Sequence, residues 1–245
     1  MQKYVELKKK ENVYLRGYLN NPETSKKIVV MFHGFTGHKA EHGRIFRTIS
    51  ELLAKENIAS LRFDFYGNAE SDGAFHEFTF DTLVEDAKLI IDYAFKIKNI
   101  KKIILLGFSM GGAIAGYMAS KMPEILEKLV LWSPAGNIAQ IVENYFSKYP
   151  KLENGNVDFL GFEMSEDLVK SFKKFSPYLN LEKIKCPCLI VHGKEDLAVN
   201  VSFGEKYAKA IKGAKLIVIE NAGHGYDNVA VRSELLTKTV EFLKG

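Results

Sequence analysis

Ile103-Ile104-Leu105-Leu106-Gly107-Phe108-Ser109-Met110-Gly111-Gly112-Ala113-Ile114-Ala115 is the stretch that decides how this chain reads. Four apolar residues run into a glycine, and a glycine pair then opens a small-residue helical pattern. The centre is G-x-S-x-G in a strand–turn–helix context, the pattern of a nucleophile elbow. A serine on so sharp a turn stands clear of the sheet. Glycines two residues to either side omit side chains that would collide with the neighbouring strand and helix. The helix N-terminus beneath favours developing negative charge. Ser109 is the candidate nucleophile.

The strand before Ser109 is one of a series. Residues 27–32, 59–63, 102–106, 129–131, 188–192 and 216–219 are short, continuous apolar runs bounded by Gly or Pro. Such runs suit strands buried on both faces of a parallel sheet. Two further strands, 4–7 and 13–19, open the chain around a turn at Glu11-Asn12. Helical spacing of apolar residues marks 45–55, 82–95, 112–121, 202–211 and 233–243. The alternation predicts an α/β fold with a mostly parallel central sheet of about eight strands flanked by helices. At 245 residues the chain is long enough to bury one substantial core, so 1–245 is expected to be a single domain.

Residues 136–180 break the rhythm. They hold no evident core strand but carry 8 aromatics in 45 residues, about 18% against 12% for the whole chain. Inserted between two sheet strands, such a segment is expected to form a small cap over the C-terminal strand ends, where ligands bind in open α/β sheets. The plainer alternative is a helical excursion whose aromatics fill its own small core. On the cap reading, Tyr145, Phe146, Phe159 and Phe162 are candidate substrate-binding residues lining an apolar acyl pocket.

A serine hydroxyl is a weak nucleophile without an adjacent base. In this arrangement the chain order is serine, acid, histidine. Of six histidines only His192 and His224 follow Ser109. His192 ends an apolar run and reads as a packed residue. His224, in Asn221-Ala222-Gly223-His224-Gly225, lies past the last strand and before the final helix, where an imidazole can meet Ser109. Asp196 follows the penultimate strand and is placed to accept the Nδ1 proton of His224, while Glu195 is expected to point elsewhere. Acyl transfer also needs amide donors for the developing oxyanion. The N–H of Met110, the residue after the nucleophile, is one. The N–H of Phe35, in the loop His33-Gly34-Phe35-Thr36-Gly37, is the other, with His33 holding that loop. This chemistry calls for no metal and no organic cofactor.

Composition narrows the partners. The net charge of +4 is spread over lysine pairs and triplets with no dense basic run, so no nucleic acid is expected. No segment approaches the ~20 apolar residues of a membrane helix. The N-terminus lacks the apolar core of a secretory signal, so a cytoplasmic location is expected. Cys186 and Cys188 are too close for an unstrained disulfide and have no neighbouring zinc ligands. They are expected to be reduced and partly buried. A small-molecule ester is the expected partner, and the oligomeric state is left open.

Five segments now fall in one order: His33-Gly-Phe-Thr-Gly-His38, Asp64-Phe-Tyr-Gly-Asn-Ala-Glu-Ser-Asp-Gly73, Gly107-Phe-Ser-Met-Gly-Gly112, Val191-His-Gly-Lys-Glu-Asp196 and Ala222-Gly-His-Gly225. Together they resemble the bacterial cinnamoyl or feruloyl esterases of the α/β-hydrolase superfamily, over nearly the whole chain. The resemblance implies carboxylic-ester hydrolysis through an acyl-enzyme, a triad of Ser109, Asp196 and His224, oxyanion donors Phe35 and Met110, and an insertion that shapes the acyl pocket. Two features depart from the family. Gly67-Asn68-Ala69 stands where Gly-His-Gly is usual, and the insertion shows no obvious counterpart to the polar residues that bind the phenolic hydroxyl of ferulate. Thioesterase, monoacylglycerol-type lipase and small-peptide or amide hydrolase readings stay open, as does a non-catalytic binding protein on the same fold. A dehalogenase would need an aspartate at Ser109.

Overall fold

The computed structural model describes residues 2–245. Strands β1 (Gln2–Lys10) and β2 (Val13–Asn20) form an antiparallel hairpin in which Asn12 takes a left-handed conformation at the turn. The chain then alternates through β3 (Lys27–Phe32), α1 (Ile45–Lys55), β4 (Ala59–Phe63), α2 (Phe80–Lys96), β5 (Lys102–Phe108), α3 (Met110–Lys121) and β6 (Leu126–Trp132). After an excursion it resumes with β9 (Cys188–Gly193), α6 (Val201–Ala210), β10 (Lys215–Ile219) and α7 (Val229–Lys244). The excursion itself holds α4 (Ile138–Lys148), β7 (Val157–Phe159), β8 (Phe162–Met164) and α5 (Glu166–Lys173). The eight-stranded sheet runs β1-β2-β4-β3-β5-β6-β9-β10. β1 and β2 are antiparallel to their neighbours, and all other pairings are parallel. This is the α/β-hydrolase fold.

The sheet separates two apolar layers, and successive residues of the interior strands feed them in turn. Ile28, Val30, Phe32, Ile103, Leu105, Leu129, Leu131 and Ile190 enter the layer under α2 and α3. Val29, Met31, Ile104, Leu106, Val130, Trp132, Leu189 and Val191 enter the layer under α1 and α7. A strand buried on both sides has no polar face, which is why these segments read as unbroken apolar runs. At the sheet edges burial thins: β1 buries only Val5, and β10 only Ile219. Both cysteines are free and buried, and burial pushes the Cys186 thiol up to about 11.

Four helices start earlier than their apolar spacing indicates: α3 at Met110 and α6 at Val201, as well as α2 and α7. α2 begins at Phe80 because Thr79 caps it, its hydroxyl accepting from the Thr82 N–H. α7 begins at Val229 because the Asn228 side chain accepts from the Val231 N–H. A cap adds a turn ahead of the first core-facing residue. Among the described residues no helix is long and apolar enough to cross a membrane.

Among the described residues the β7–β8 hairpin pairs only with itself, apart from a bridge to Lys151, and not with the main sheet. Tyr145 stacks on Phe159 at 4.3 Å, and Tyr149 meets the same ring edge-on at 4.8 Å. The cluster continues onto Phe35, whose ring lies 6.1 Å from Phe159 and 6.4 Å from Tyr145. Phe162 packs on Phe75 at 4.9 Å. The excursion's aromatics therefore cluster against the loop after β3, and its buried residues Val157, Phe159, Met164, Leu168 and Phe172 join the layer under α2 and α3.

Candidate active site

Ser109 sits between β5 and α3 with φ 55° and ψ −118°, a strained conformation for a residue with a side chain. Packing enforces it. A Cβ on Gly107 would lie 2.0 Å from the Gly111 carbonyl oxygen, and a Cβ on Gly111 would lie 2.0 Å from that of Phe32. Helix and strand approach so closely that only glycine fits at either position. The Ser109 N–H donates to the Trp132 carbonyl at 2.9 Å, and its own carbonyl accepts from Ala113 and Ala135. These bonds tie the turn to β6 and leave the hydroxyl free.

His224 and Asp196 arrive on two adjoining loops. The Glu195 N–H donates to the Ala222 carbonyl at 3.0 Å, and Gly193 lets the loops touch, since a Cβ there would lie 2.3 Å from the same oxygen. Tyr226, buried just past His224, staples the second loop by donating to the Val191 carbonyl at 3.1 Å. His224 Nε2 lies 3.0 Å from Ser109 Oγ, and its Nδ1 lies 2.7 Å from Asp196 Oδ2. The imidazole rests on the Phe108 ring, centroids 5.0 Å apart.

Asp196 is buried, and its Oδ1 accepts from the N–H groups of Ala198 and Val199 at 3.0 and 2.7 Å. Burial opposes its charge, but the imidazoles of His192 and His224 outweigh burial and hold the carboxyl well below the ordinary carboxylate range. His192 is a packed residue, as its place in an apolar run indicates, but it also supports the acid. Its Nε2–H donates to the Val199 carbonyl at 2.7 Å and lies 3.4 Å from Asp196 Oδ2. Glu195 points to solvent.

On the opposite side, the loop after β3 lies against the serine: a Cβ on Gly34 would be 3.4 Å from Ser109 Cβ. Among the described residues the N–H groups of Phe35 and Met110 meet no acceptor. His33 holds the loop. Its Nδ1 donates to the Gly34 carbonyl at 2.8 Å, and its Nε2 accepts from the Phe65 N–H at 3.0 Å. That pattern fixes the neutral tautomer, and full burial lowers its pKa to about 4.

Sequence reasoning missed Glu41. This carboxylate is 4% exposed and accepts from the Gly34 N–H and, at 3.0 Å, from the His42 N–H. Its backbone, φ 58° and ψ 169°, lies in a region that glycine alone adopts freely. Burial pushes its carboxyl above the ordinary range, with the two N–H groups partly opposing. Nothing in Glu41-His42-Gly43-Arg44 marks the acid as buried. The open cleft over Ser109, about 570 Å³, is lined by residues 34–38, Glu41, His42, Phe108, His224, Gly225 and Asp227. Phe35 belongs to it, but Tyr145, Phe146, Phe159 and Phe162 do not. Tyr145 and Phe159 stand behind Phe35, Phe162 sits on Phe75, and Phe146 is half-buried on α4.

A serine, an imidazole and a carboxylate linked in this order can pass a proton from hydroxyl to imidazole while the acid holds the imidazolium. Two amides beside the serine are suited to a developing oxyanion.

Known proteins share this architecture. A family model described as Serine aminopeptidase, S33 (Hydrolase_4) matches residues 23–162. The AB hydrolase superfamily protein YisY of Bacillus subtilis (strain 168) is 28% identical over 235 residues, 80% of this chain and 84% of that protein. Human monoacylglycerol lipase ABHD6 is 26% identical over 250 residues, 81% of this chain and 70% of that protein. Among solved structures, Est1E from Butyrivibrio proteoclasticus with ferulic acid bound has a TM-score of 0.87 at 26% identity, covering 98% of this chain and 97% of that one.

Proposed function

The chain belongs to the Hydrolase_4 (serine aminopeptidase, S33) family of the α/β-hydrolase superfamily, and from that premise we propose that it is a serine carboxylic-ester hydrolase working through an acyl-enzyme. The observation that carries this reading is the unbroken hydrogen-bonded line from Ser109 Oγ through His224 to Asp196. Ser109 attacks the acyl carbon as its proton passes to His224 Nε2. Asp196 holds the Nδ1–H and stabilises the imidazolium. The N–H groups of Phe35 and Met110 receive the oxyanion. The leaving alcohol takes the proton from His224, and water activated by the same imidazole then releases the acid.

Aromatic or short-to-medium acyl groups suit the aromatic surroundings of Phe35. In this reading the segment 136–180 acts as a cap. Tyr145 and Phe159 set the acyl preference by fixing the Phe35 ring, and Phe162 backs the same ring through Phe75. An amide or aminopeptidase reading has one observation in its favour, since Glu41 and Asp227 put two carboxylates on the cleft. Both are engaged, Glu41 by backbone N–H groups and Asp227 by His42 at 3.1 Å, so the ester reading leads.

The test is a panel of nitrophenyl esters of rising acyl length, with methyl ferulate and an amino-acid nitroanilide, run on wild type and Ser109→Ala. Wild type should turn over esters and label with a fluorophosphonate probe. Ser109→Ala should lose labelling and at least about 10³-fold in kcat. Near-normal turnover by purified Ser109→Ala would sink the assignment, and amide turnover exceeding ester turnover would replace it with the peptidase reading.

A further inference from the structure

A second cavity of about 570 Å³ adjoins the cleft over Ser109, and the two share His38. Its walls carry Lys39, Arg44, Arg47 and Arg62 against a single carboxylate, Glu70. Two of these cations are already matched. Lys39 is held by Asp64 at 2.5 Å and Glu70 at 2.7 Å, and Arg47 by Glu51 at 2.9 Å. Among the described residues, Arg44 and Arg62 meet no carboxylate at ion-pair distance.

Arg62 is the unusual member. It is 2% exposed, yet among the described residues a single bond, from Nη1 to the Lys39 carbonyl at 2.9 Å, engages its guanidinium and its buried Nε meets no partner. One face of the guanidinium lies over the Tyr18 ring, 4.9 Å from the centroid. Stacking satisfies the face and leaves the edge, where the N–H donors lie. Asp64 and Glu51 act on it only from beyond ion-pair distance, and a buried guanidinium without a contacting anion is costly. A cavity that retains one, lined by further cations, is suited to an anion from outside. His38 points the same way. Its Nδ1 accepts from the Ala40 N–H at 3.1 Å, so in the neutral ring Nε2 carries the proton, and the residue lines both cavities.

We propose that this second cavity is an oxyanion subsite that takes a carboxylate or phosphate carried on the ester substrate away from the scissile bond. The inference rests on the ester-hydrolase reading and deepens it: the preferred substrates are acidic esters, with the acyl carbon at Ser109 and the anionic end against Arg62 and Arg44. Planar N–H forks match both oxyanions, and charge-assisted bonds of this kind are worth at least about a tenfold preference.

The experiment compares kcat/KM within two matched pairs. One is a nitrophenyl hemiglutarate against its neutral methyl ester, with the anion on the acid side. The other is a butyrate ester of glycerol phosphate against glycerol monobutyrate, with the anion on the alcohol side. Wild type should favour the anionic member of at least one pair by about tenfold or more. That ratio should fall toward one in Arg62→Met and in Arg44→Gln. A wild-type ratio of one or less in both pairs overturns the inference, as does a preference that survives both substitutions. If Arg62→Met does not fold, Arg44→Gln decides, because that side chain is exposed. Failure of wild type to hydrolyse the neutral esters above Ser109→Ala strikes the ester-hydrolase reading itself, and the subsite falls with it.

Discussion

Glu41 combines a buried carboxylate, a glycine-like backbone and a bond to the loop that carries the Phe35 amide. Strain of this kind persists only where the surroundings over-determine it. Removing the side chain frees Gly34 and, with Phe35 as the proposed oxyanion donor, lets that N–H drift from Ser109. Loss of one oxyanion donor costs about 10²–10³ in kcat, so partial misalignment in Glu41→Ala should cost about 10- to 100-fold with KM little changed. Glu41→Gln, which keeps an acceptor for the Gly34 N–H, should recover most of that in the same assay. His33 gives a pH prediction with a definite sign. Burial lowers its pKa from the ordinary 6.5 to about 4. Its contribution is therefore complete above pH ~6.5 and is lost as pH falls toward 4, because the unfolded chain binds a proton the folded one refuses. The loss amounts to about 3 kcal/mol, read from urea midpoints across that window. His33→Gln, with no proton to refuse, should lack this increment. Ser109, His224 and Asp196 were legible because chain order and local spacing point to them. Glu41 was not, because its burial depends on a loop folding back over it from seven residues away.

At the scale of elements, the turn before α3 depends on two contacts that allow no side chain. Gly107→Ala and Gly111→Ala each drive a Cβ to 2.0 Å from a backbone oxygen, so helix and strand must separate. Each should cost about 3 kcal/mol or more in thermal or urea melts and displace Ser109. Gly112→Ala is the control: its Cβ would meet Pro134 at 3.0 Å, a contact small shifts can relieve, and its cost should be clearly smaller. The strands were readable because burial on both faces leaves no polar residue to blur the run. The destination of the aromatics in 136–180 was not, since composition shows enrichment but not partners. Tyr145 and Phe159 stack behind Phe35 rather than on the cleft. Tyr145→Ala and Phe159→Ala should therefore loosen the Phe35 ring and change the kcat/KM ratio of bulky to acetyl esters, within the roughly 10- to 200-fold range of apolar pocket contacts. Equal slowing of both esters, with normal stability, would make these rings ordinary packing.

The whole molecule carries one tryptophan, and its position makes it a reporter on how the two apolar layers are joined. Trp132 is fully buried in the layer under α1 and α7, 5.8 Å from Phe46, with its indole N–H donating to Thr239 on α7 at 3.0 Å. Its fluorescence therefore follows that layer alone, whereas far-UV circular dichroism follows all the helices and the sheet. Chains beyond ~150 residues often populate intermediates, and two separate cores would be a natural way to do so. Here the layers share their strands residue by residue: Leu131 enters one and Trp132 the other, and Leu105 and Leu106 divide likewise. Neither layer can lose its strands without exposing its partner, so the two should unfold together and 1–245 should behave as one domain. In urea titrations the fluorescence and circular dichroism midpoints should coincide. Phe46→Ala, which opens a cavity beside Trp132 alone, should lower both midpoints by the same amount, corresponding to about 3–5 kcal/mol. A fluorescence transition that moves away from the circular dichroism transition in this variant would show that the layers melt separately. The buried side chains of the excursion join the layer under α2 and α3, on the face of the sheet away from Trp132, so any early loss of circular dichroism without a change in Trp132 fluorescence should map to that side, with α4, α5 and the β7–β8 hairpin included.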